Sequence, residues 1–301
     1  MSKSTRESAI KAYAERKDGV DWKGLMDYAN TMFDIRDGLK IEKVEDNFDS
    51  ETALKAIKEQ KPYLQVRPLN ITPAKFREAC IALQDKFIES GVFNDEDQIQ
   101  KLKALDWSKL SDQTIRKAGE NPEAFYDVAA GELLSPEDMD EMQTVLAGIF
   151  LNVLRVYFKN LGEDMTDALG KIDQVEAGDA SLVCPTCGSV AGLSLVTDGG
   201  AGKSNERFLF CSCCGTVWPF ERIRCAYCGN TNSNKLKYVY ADEDPGHRMH
   251  VCEVCDGAMP TVFQNALKAP LDYDIEQIAM GVLQSVYDDS RDQDASEEEK
   301  K

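Results

Sequence analysis

Four Cys-x-x-Cys pairs constrain this chain more than any other feature: Cys184/Cys187, Cys211/Cys214, Cys225/Cys228 and Cys252/Cys255. Twenty-three residues separate Cys187 from Cys211, and twenty-three separate Cys228 from Cys252. Adding 41 to 184, 187, 211 and 214 gives 225, 228, 252 and 255, so the region is a tandem repeat. A Cys-x-x-Cys turn sets two thiolates on one side of a tight knuckle. Two knuckles together make a four-sulfur site, which suits structural zinc and rubredoxin-type iron alike. Gly188, Gly215 and Gly229 follow the second cysteine of three pairs and allow a left-handed backbone that turns amide hydrogens toward sulfur. The fourth knuckle interposes Asp256 before Gly257. The expected ligands of two metal ions, iron or zinc, are therefore these eight cysteines, grouped as one set per repeat.

Nine of the ten cysteines lie between 184 and 255, which points to local ligation and not to a chain-wide disulfide framework. The N-terminus has no apolar signal segment, and no apolar run is read as approaching the ~20 residues of a membrane span. A cytoplasmic protein with reduced thiols is the expectation. A formal charge of −18 speaks against nucleic-acid binding, which needs a basic footprint. Between Cys184 and Pro260 seven Lys/Arg face eight Asp/Glu, so the ribbons are no basic island.

The fold class expected is α+β: an N-terminal all-α domain (residues 1–180), two tandem rubredoxin-like or zinc-ribbon domains (181–221 and 222–262) and a C-terminal helical segment (263–287). The acidic tail, 288–301, reads as disordered. Apolar spacing predicts helices over Ser4–Lys17 and Asp21–Ile35, and a short one capped near Ser50. Thr72-Pro73 opens another, with Phe76, Cys80, Leu83 and Phe87 on one face and Gly91 at its end. Cys80 is a core residue there. Residues 62–70 read as an extended connector and 129–132 as a turn. A central helix begins at Ser135-Pro136 and is expected to stop at Gly162. Each ribbon reads as knuckle, strand, turn, strand, knuckle, with strands near 193–196, 207–210, 238–240 and 248–251.

No catalytic constellation is found, and the protein is read as not an enzyme. His250, two residues before Cys252, could replace a ligand; with four cysteines at hand it reads as a solvent-facing strand residue. Gly199–Ser204 lacks the spacing of a phosphate loop and leads into a strand, so it reads as a hairpin tip. Cys213 falls outside the repeat and is either a reactive thiol or a small knuckle residue without chemistry. Trp218, Phe220, Arg222 and Arg224, between the ribbons, fit either a partner-binding surface or the seam that joins the ribbons.

A helical domain followed by Cys184-Pro-Thr-Cys-Gly-Ser, Arg207-Phe-Leu-x-Cys211-x-x-Cys214 with Trp218, Arg222-x-Arg224-Cys225-x-x-Cys228, Cys252-x-x-Cys255 and Leu271-Asp-Tyr-Asp-Ile-Glu-Gln-Ile-Ala-Met resembles the formate dehydrogenase accessory protein family, FdhE. Cys213, Asp256 and the acidic tail depart from the family's pattern. The resemblance implies a maturation factor that binds the catalytic subunit of a molybdenum or tungsten formate dehydrogenase, with rubredoxin-like ribbons associated with iron. By matching position, it carries the ligand role onto the same eight cysteines. An electron carrier of rubredoxin type and a zinc-ribbon interaction or nucleic-acid module are the alternatives.

Overall fold

The computed structural model describes residues 3–44, 48–171, 180–197 and 205–298. The expected Gly199–Ser204 tip lies outside them. Nine helices precede the ribbons among the described residues: α1 (Lys3–Ala14), α2 (Trp22–Asp37), α3 (Ser50–Lys58), α4 (Tyr63–Val66), α5 (Pro73–Glu89), α6 (Glu96–Ala104), α7 (Asp112–Ala118), α8 (Pro122–Leu133) and α9 (Met139–Leu169). Their starts follow local chemistry. Asp49, Asp95, Ser111 and Asn121 accept amide hydrogens of the first turns they cap, and Pro73 and Pro122 occupy positions where no amide donor is needed.

Helix α9 is the axis of this body. Its Phe150 packs edge-on to Phe125 of α8 at 4.9 Å, and Phe125 meets Phe76 of α5 at 90°. Apolar residues spread around α9 because it is surrounded. By length and composition alone it is long and apolar enough to cross a membrane, a property that a buried core helix shares. Here that apolar surface packs against α3, α5, α8 and β3.

Several local expectations are corrected. The connector at 62–70 contains α4, whose first two amides, at Tyr63 and Leu64, donate to Pro185 O and Thr186 O. Residues 129–132 lie within α8, where the Glu132 carboxylate accepts from Ser111 and Thr114 and ties α8 to α7. Helix α9 begins after Asp138, with Ser135 bonded into the preceding turn. It runs through Gly162 to Leu169, since a glycine alone costs only about 1 kcal/mol inside a helix and tertiary packing overrides that.

The ribbons form one six-stranded sheet, ordered β3-β2-β1-β6-β5-β4. Its strands are β1 (Leu193–Val196), β2 (Arg207–Phe210), β3 (Val217–Phe220), β4 (Leu236–Val239), β5 (His247–Cys252) and β6 (Ala258–Phe263). Each repeat is an antiparallel meander of three strands, and the parallel pairing of β1 with β6 joins them. The third strand of each repeat, β3 or β6, extends the knuckle–strand–turn–strand–knuckle reading. Both contain a proline, Pro219 or Pro260. Pro219 sits on an edge strand, and Pro260 immediately precedes Thr261, where the pairing with β1 begins.

The last helix, α10 (Tyr273–Glu298), lies on one sheet face, where Met280 joins Leu193, Leu195, Phe210, Met249, Val251 and Val262. It continues to Glu298, so 288–298, expected to be disordered, is helical. The opposite face of the first repeat, with Leu209, Trp218 and Phe220, merges into the core of the helical body. The sheet of the first repeat thus lies between the helical body and α10, and α10 in turn packs on α1 and α2 through Ile275 and Ala279.

Candidate metal centres

All four knuckles repeat one backbone pattern. The amide of the first cysteine donates five residues ahead: Cys184 to Ser189 O, Cys211 to Thr216 O, Cys225 to Asn230 O and Cys252 to Gly257 O, at 2.8–3.0 Å. In three knuckles the residue after the second cysteine is a left-handed glycine, with φ of +84° at Gly188, +83° at Gly215 and +75° at Gly229. In the fourth, Asp256 itself takes φ +56°. Aspartate is among the few side-chain-bearing residues that tolerate this region. Gly257 is needed for space instead, since a Cβ there would lie 2.5 Å from the Tyr227 ring.

The thiols gather as the 41-residue offset groups them: Cys184, Cys187, Cys211 and Cys214 in one cluster, Cys225, Cys228, Cys252 and Cys255 in the other. Within each, all sulfurs lie within 4.8 Å of one another. Across the paired knuckles, Sγ–Sγ distances are 3.4 Å (Cys184–Cys214), 3.5 Å (Cys187–Cys211), 3.6 Å (Cys225–Cys255) and 3.8 Å (Cys228–Cys252). A tetrahedral ion with metal–sulfur bonds of about 2.3 Å requires sulfur separations of about 3.8 Å. Disulfides need about 2.05 Å and are not formed. The donor sets fit a four-thiolate metal site, and either cluster could hold an ion.

Burial separates the two. Every cysteine of the first cluster is buried, whereas Cys228 and Cys255 of the second are exposed. Burial pushes the Cys187 and Cys211 thiols up. Burial acts on Cys214 in the same direction, yet hydrogen bonds from the neighbouring thiols and from Thr216 outweigh it and hold Cys214 well below the usual range. In the second cluster Cys252 is brought down to about 7, because amides of Val254 and Cys255 outweigh its desolvation. Hydrogen bonding thus favours the thiolate form, the form that binds metal, at Cys214 in one cluster and at Cys252 in the other.

The first cluster is walled in by helices. Arg155 of α9 donates to Cys211 O at 3.0 Å, and its guanidinium lies where a Gly215 side chain would be. Gly162 of α9 faces the second knuckle so closely that a Cβ would lie 2.1 Å from Cys214 O. Four residues on, Thr166 Oγ1 accepts from Val217 N at 3.0 Å. From the other side Gln277 of α10 donates to Ser212 Oγ at 2.5 Å. Arg155, Gly162 and Thr166 carry no motif in the sequence. Their spacing along one face of α9 is the one signal they give, and a glycine there reads first as a helix end.

The remaining candidates take definite places. Cys213 is buried outside both clusters, 3.8 Å from the phenol of Tyr126. His250 is buried, correcting the solvent-facing reading; it stacks on Tyr238 at 4.7 Å, and burial with nearby Arg207 lowers it to about 4. Trp218 and Phe220 are buried, with the Trp218 indole donating to Ser181 O and Phe220 flanked by Arg207 and Arg224. Arg224 also donates to Ala180 O, and Arg207 to Arg224 O. Trp218 and Phe220 are covered by the core they share with the helical body, and Arg222 alone of the four is exposed. Cys80 is buried in the helical core, and burial raises its thiol.

A family model described as FdhE, central domain, matches residues 183–222, the first cluster and its strands. Among curated relatives, an FdhE homolog of Rhizobium meliloti is 36% identical over 84 residues, 28% of this chain and 27% of that protein. An FdhE homolog of Aquifex aeolicus is 32% identical over 98 residues, covering 32% and 33%. Protein FdhE of Escherichia coli is 30% identical over 122 residues, covering 40% and 37%. The matched stretch thus spans between about a quarter and two fifths of these relatives. The crystal structure of the FdhE protein from Pseudomonas aeruginosa superposes with a TM-score of 0.54 over 95% of this chain and 90% of that one, at 16% identity, a likeness of fold. Residues 183–222 are thus similar to the FdhE central domain, and the fold of the chain is similar to that of the Pseudomonas aeruginosa FdhE protein.

Proposed function

We propose that this protein is a cytoplasmic, non-enzymatic accessory factor that binds the catalytic subunit of a molybdenum or tungsten formate dehydrogenase and supports its maturation. The observation that carries the reading is the coincidence of the FdhE central-domain match with a preassembled four-thiol cluster buried against a helical body. Cys184, Cys187, Cys211 and Cys214 would hold one ion, and Cys225, Cys228, Cys252 and Cys255 a second. Bound there, zinc would cross-link the knuckles, whereas iron would add a one-electron couple. The chain's own part is to hold the sulfurs at tetrahedral spacing and to close the first site from water.

A tagged copy expressed in a host that makes formate dehydrogenase should recover its catalytic subunit, and deleting the gene should abolish formate dehydrogenase activity. Unchanged activity in the deletion strain would sink the reading. The exposure of Cys228 and Cys255 supports a second reading, a rubredoxin-type electron carrier. That reading requires a coloured iron protein with a reversible couple; about two zinc ions per colourless chain, measured by elemental analysis after anaerobic purification, excludes it.

A further inference from the structure

The sheet has two edges, and they are finished differently. At the β3 edge, Val217 N donates to Thr166 of α9, and Pro219 has no amide hydrogen to offer. At the other edge, β4 is paired only with β5 among the described residues. The phase of that pairing follows from two bonds: Glu253 N donates to Lys235 O at 2.9 Å, while Cys252 N turns away to Gly257 O. Bonded partners alternate along an antiparallel pair. Lys237/Val251 and Val239/Met249 are therefore the bonded pairs; the Tyr238 amide and the carbonyls of Leu236 and Tyr238 point outward along the open edge, while the Leu236 amide is taken by Ser233 O.

On this edge Tyr238 and Val239 are exposed, with Tyr240 just beyond the strand. Of the thirteen large apolar side chains exposed among the described residues, six belong to the second repeat: Ile223, Tyr227, Tyr238, Val239, Tyr240 and Val254. Edge strands are ordinarily protected by lysine. Lys235 and Lys237 stand here and share the single carboxylate of Glu253, at 3.4 and 3.3 Å. Beyond the strand the turn presents Asp242 and Glu243, both exposed, in a chain of net charge −18.

We infer that the β4 edge is a docking strand for an extended segment of a partner polypeptide, apolar at alternate positions and basic at the end that reaches Asp242 and Glu243. The open backbone donors and acceptors supply strand addition. Tyr238 and Val239 project to opposite faces and receive the alternating side chains. The acidic turn selects the basic end by charge. This inference rests on the accessory role proposed above and gives the client's contact a place: an incompletely folded chain exposes segments of this kind, which a folded one pairs internally.

The test uses the full-length protein and a synthetic peptide of alternating valine and threonine with two lysines at one end, with a proline-interrupted version as control. Hydrogen exchange should slow at least tenfold at the Tyr238 amide on adding the first peptide and not the second. Tyr238→Pro should weaken binding at least tenfold, whereas Tyr238→Ala, which keeps the donor, should retain the slowed exchange. Binding without slowed edge exchange, or equal binding by Tyr238→Pro, overturns the inference. If Tyr238→Pro fails to retain two metal equivalents, Val239→Lys replaces it: several-fold weaker binding supports the docking strand and unchanged binding overturns it. Recovery of the formate dehydrogenase subunit by the wild type and Tyr238→Pro alike overturns the docking strand and leaves the accessory role standing. Slowed edge exchange with peptide, but no subunit recovered from cells, removes the accessory role and keeps the docking strand.

Discussion

The two repeats share one ligand spacing, one knuckle geometry and one strand order, yet they stand in different surroundings. In the first, Cys184, Cys187, Cys211, Cys214 and Trp218 belong to the same apolar core as Phe76 and Phe150 of the helical body. In the second, two of four cysteines reach the surface. The sequence repeat dictates the sulfur cage, because that depends on residues a few positions apart. What the cage is embedded in depends on α4 and α9, which pack on the first repeat, while α10 reaches both repeats, at Ser212 in one and at Asp256 O in the other. Identical cages can therefore differ in metal exchange and in their share of stability.

The largest break in the symmetry is expected from removing one ligand of each cluster. Cys187→Ser opens a buried site whose apparent metal affinity is on the order of 10 kcal/mol for comparable structural sites, and it leaves a polar hydroxyl in the core. Loss of cooperative thermal unfolding and of soluble protein should follow. Cys255→Ser should lose one metal equivalent and keep a cooperative transition. Chelator challenge of the wild type should release one equivalent quickly and hold the second until unfolding. Equal behaviour of both variants, or a single release phase, would mean that the surroundings do not matter.

The second repeat is fastened to the helical layer by a polar clasp. His247 Nδ1 lies 2.8 Å from Asp244, and its Nε2 lies 2.9 Å from Glu276 of α10 and 2.8 Å from the Tyr13 phenol of α1. Arg16 adds an ion pair to Asp244 at 2.7 Å. Burial works to strip the imidazolium proton, but the hydrogen bonds and charges of Asp244 and Glu276 push His247 up to about 9 from an ordinary 6.5. The folded state thus binds this proton more tightly than the unfolded one. Its contribution, on the order of 3 kcal/mol, is fully present below about pH 6.5 and is lost as pH rises through 9. Asp244, brought down to about 2 because its partners outweigh its desolvation, contributes above about pH 4, and that share is lost as pH falls through 2. Denaturant midpoints should fall between pH 7 and 10 in the wild type, and His247→Gln should flatten that decline. Identical pH profiles would show that the clasp does not hold the repeat.

The contrast also marks what was legible in the chain. The cysteine grouping, the α5 start at Thr72-Pro73 and the first two helices follow from local spacing, and the structure has the same features. Features made by distant contacts were hidden. Pro219 and Pro260 disguised β3 and β6, because a proline is compatible with a strand only where its neighbour does not need the amide. The fusion of the ribbons rests on the β1–β6 pair, whose partners lie far apart in sequence. His250 looked exposed because strand alternation cannot tell which face another layer will cover. Gly162 looked like a helix end because glycine's commonest reason for standing there is conformational, whereas here it is spatial.

That glycine gives the next effect in size. Gly162→Ala puts a methyl group against the Cys214 carbonyl and should cost about 1–3 kcal/mol through displacement of the knuckle. Gly148, in the same helix with open space around it, is the control: Gly148→Ala should stabilise by about 0.5–1 kcal/mol. Thermal unfolding of the two variants should move in opposite directions. A shared upward shift would mean that α9 does not brace the first cluster.

The smallest effect belongs to the one knuckle without its glycine. Asp256 holds a left-handed backbone that costs a side-chain-bearing residue about 1 kcal/mol, somewhat less for aspartate. Asp256→Gly removes that strain but adds conformational entropy to the unfolded chain, worth about 0.5 kcal/mol in the other direction. The net gain should be no more than about 0.5 kcal/mol, with the hydrogen bond from the Arg291 guanidinium to the residue 256 carbonyl retained. Because the strain sits in the exposed cluster, the gain should appear as slower chelator release of the fast equivalent, with the slow one unchanged. A change in the slow equivalent instead would mean that strain passes through the shared sheet, and that the two clusters are mechanically one.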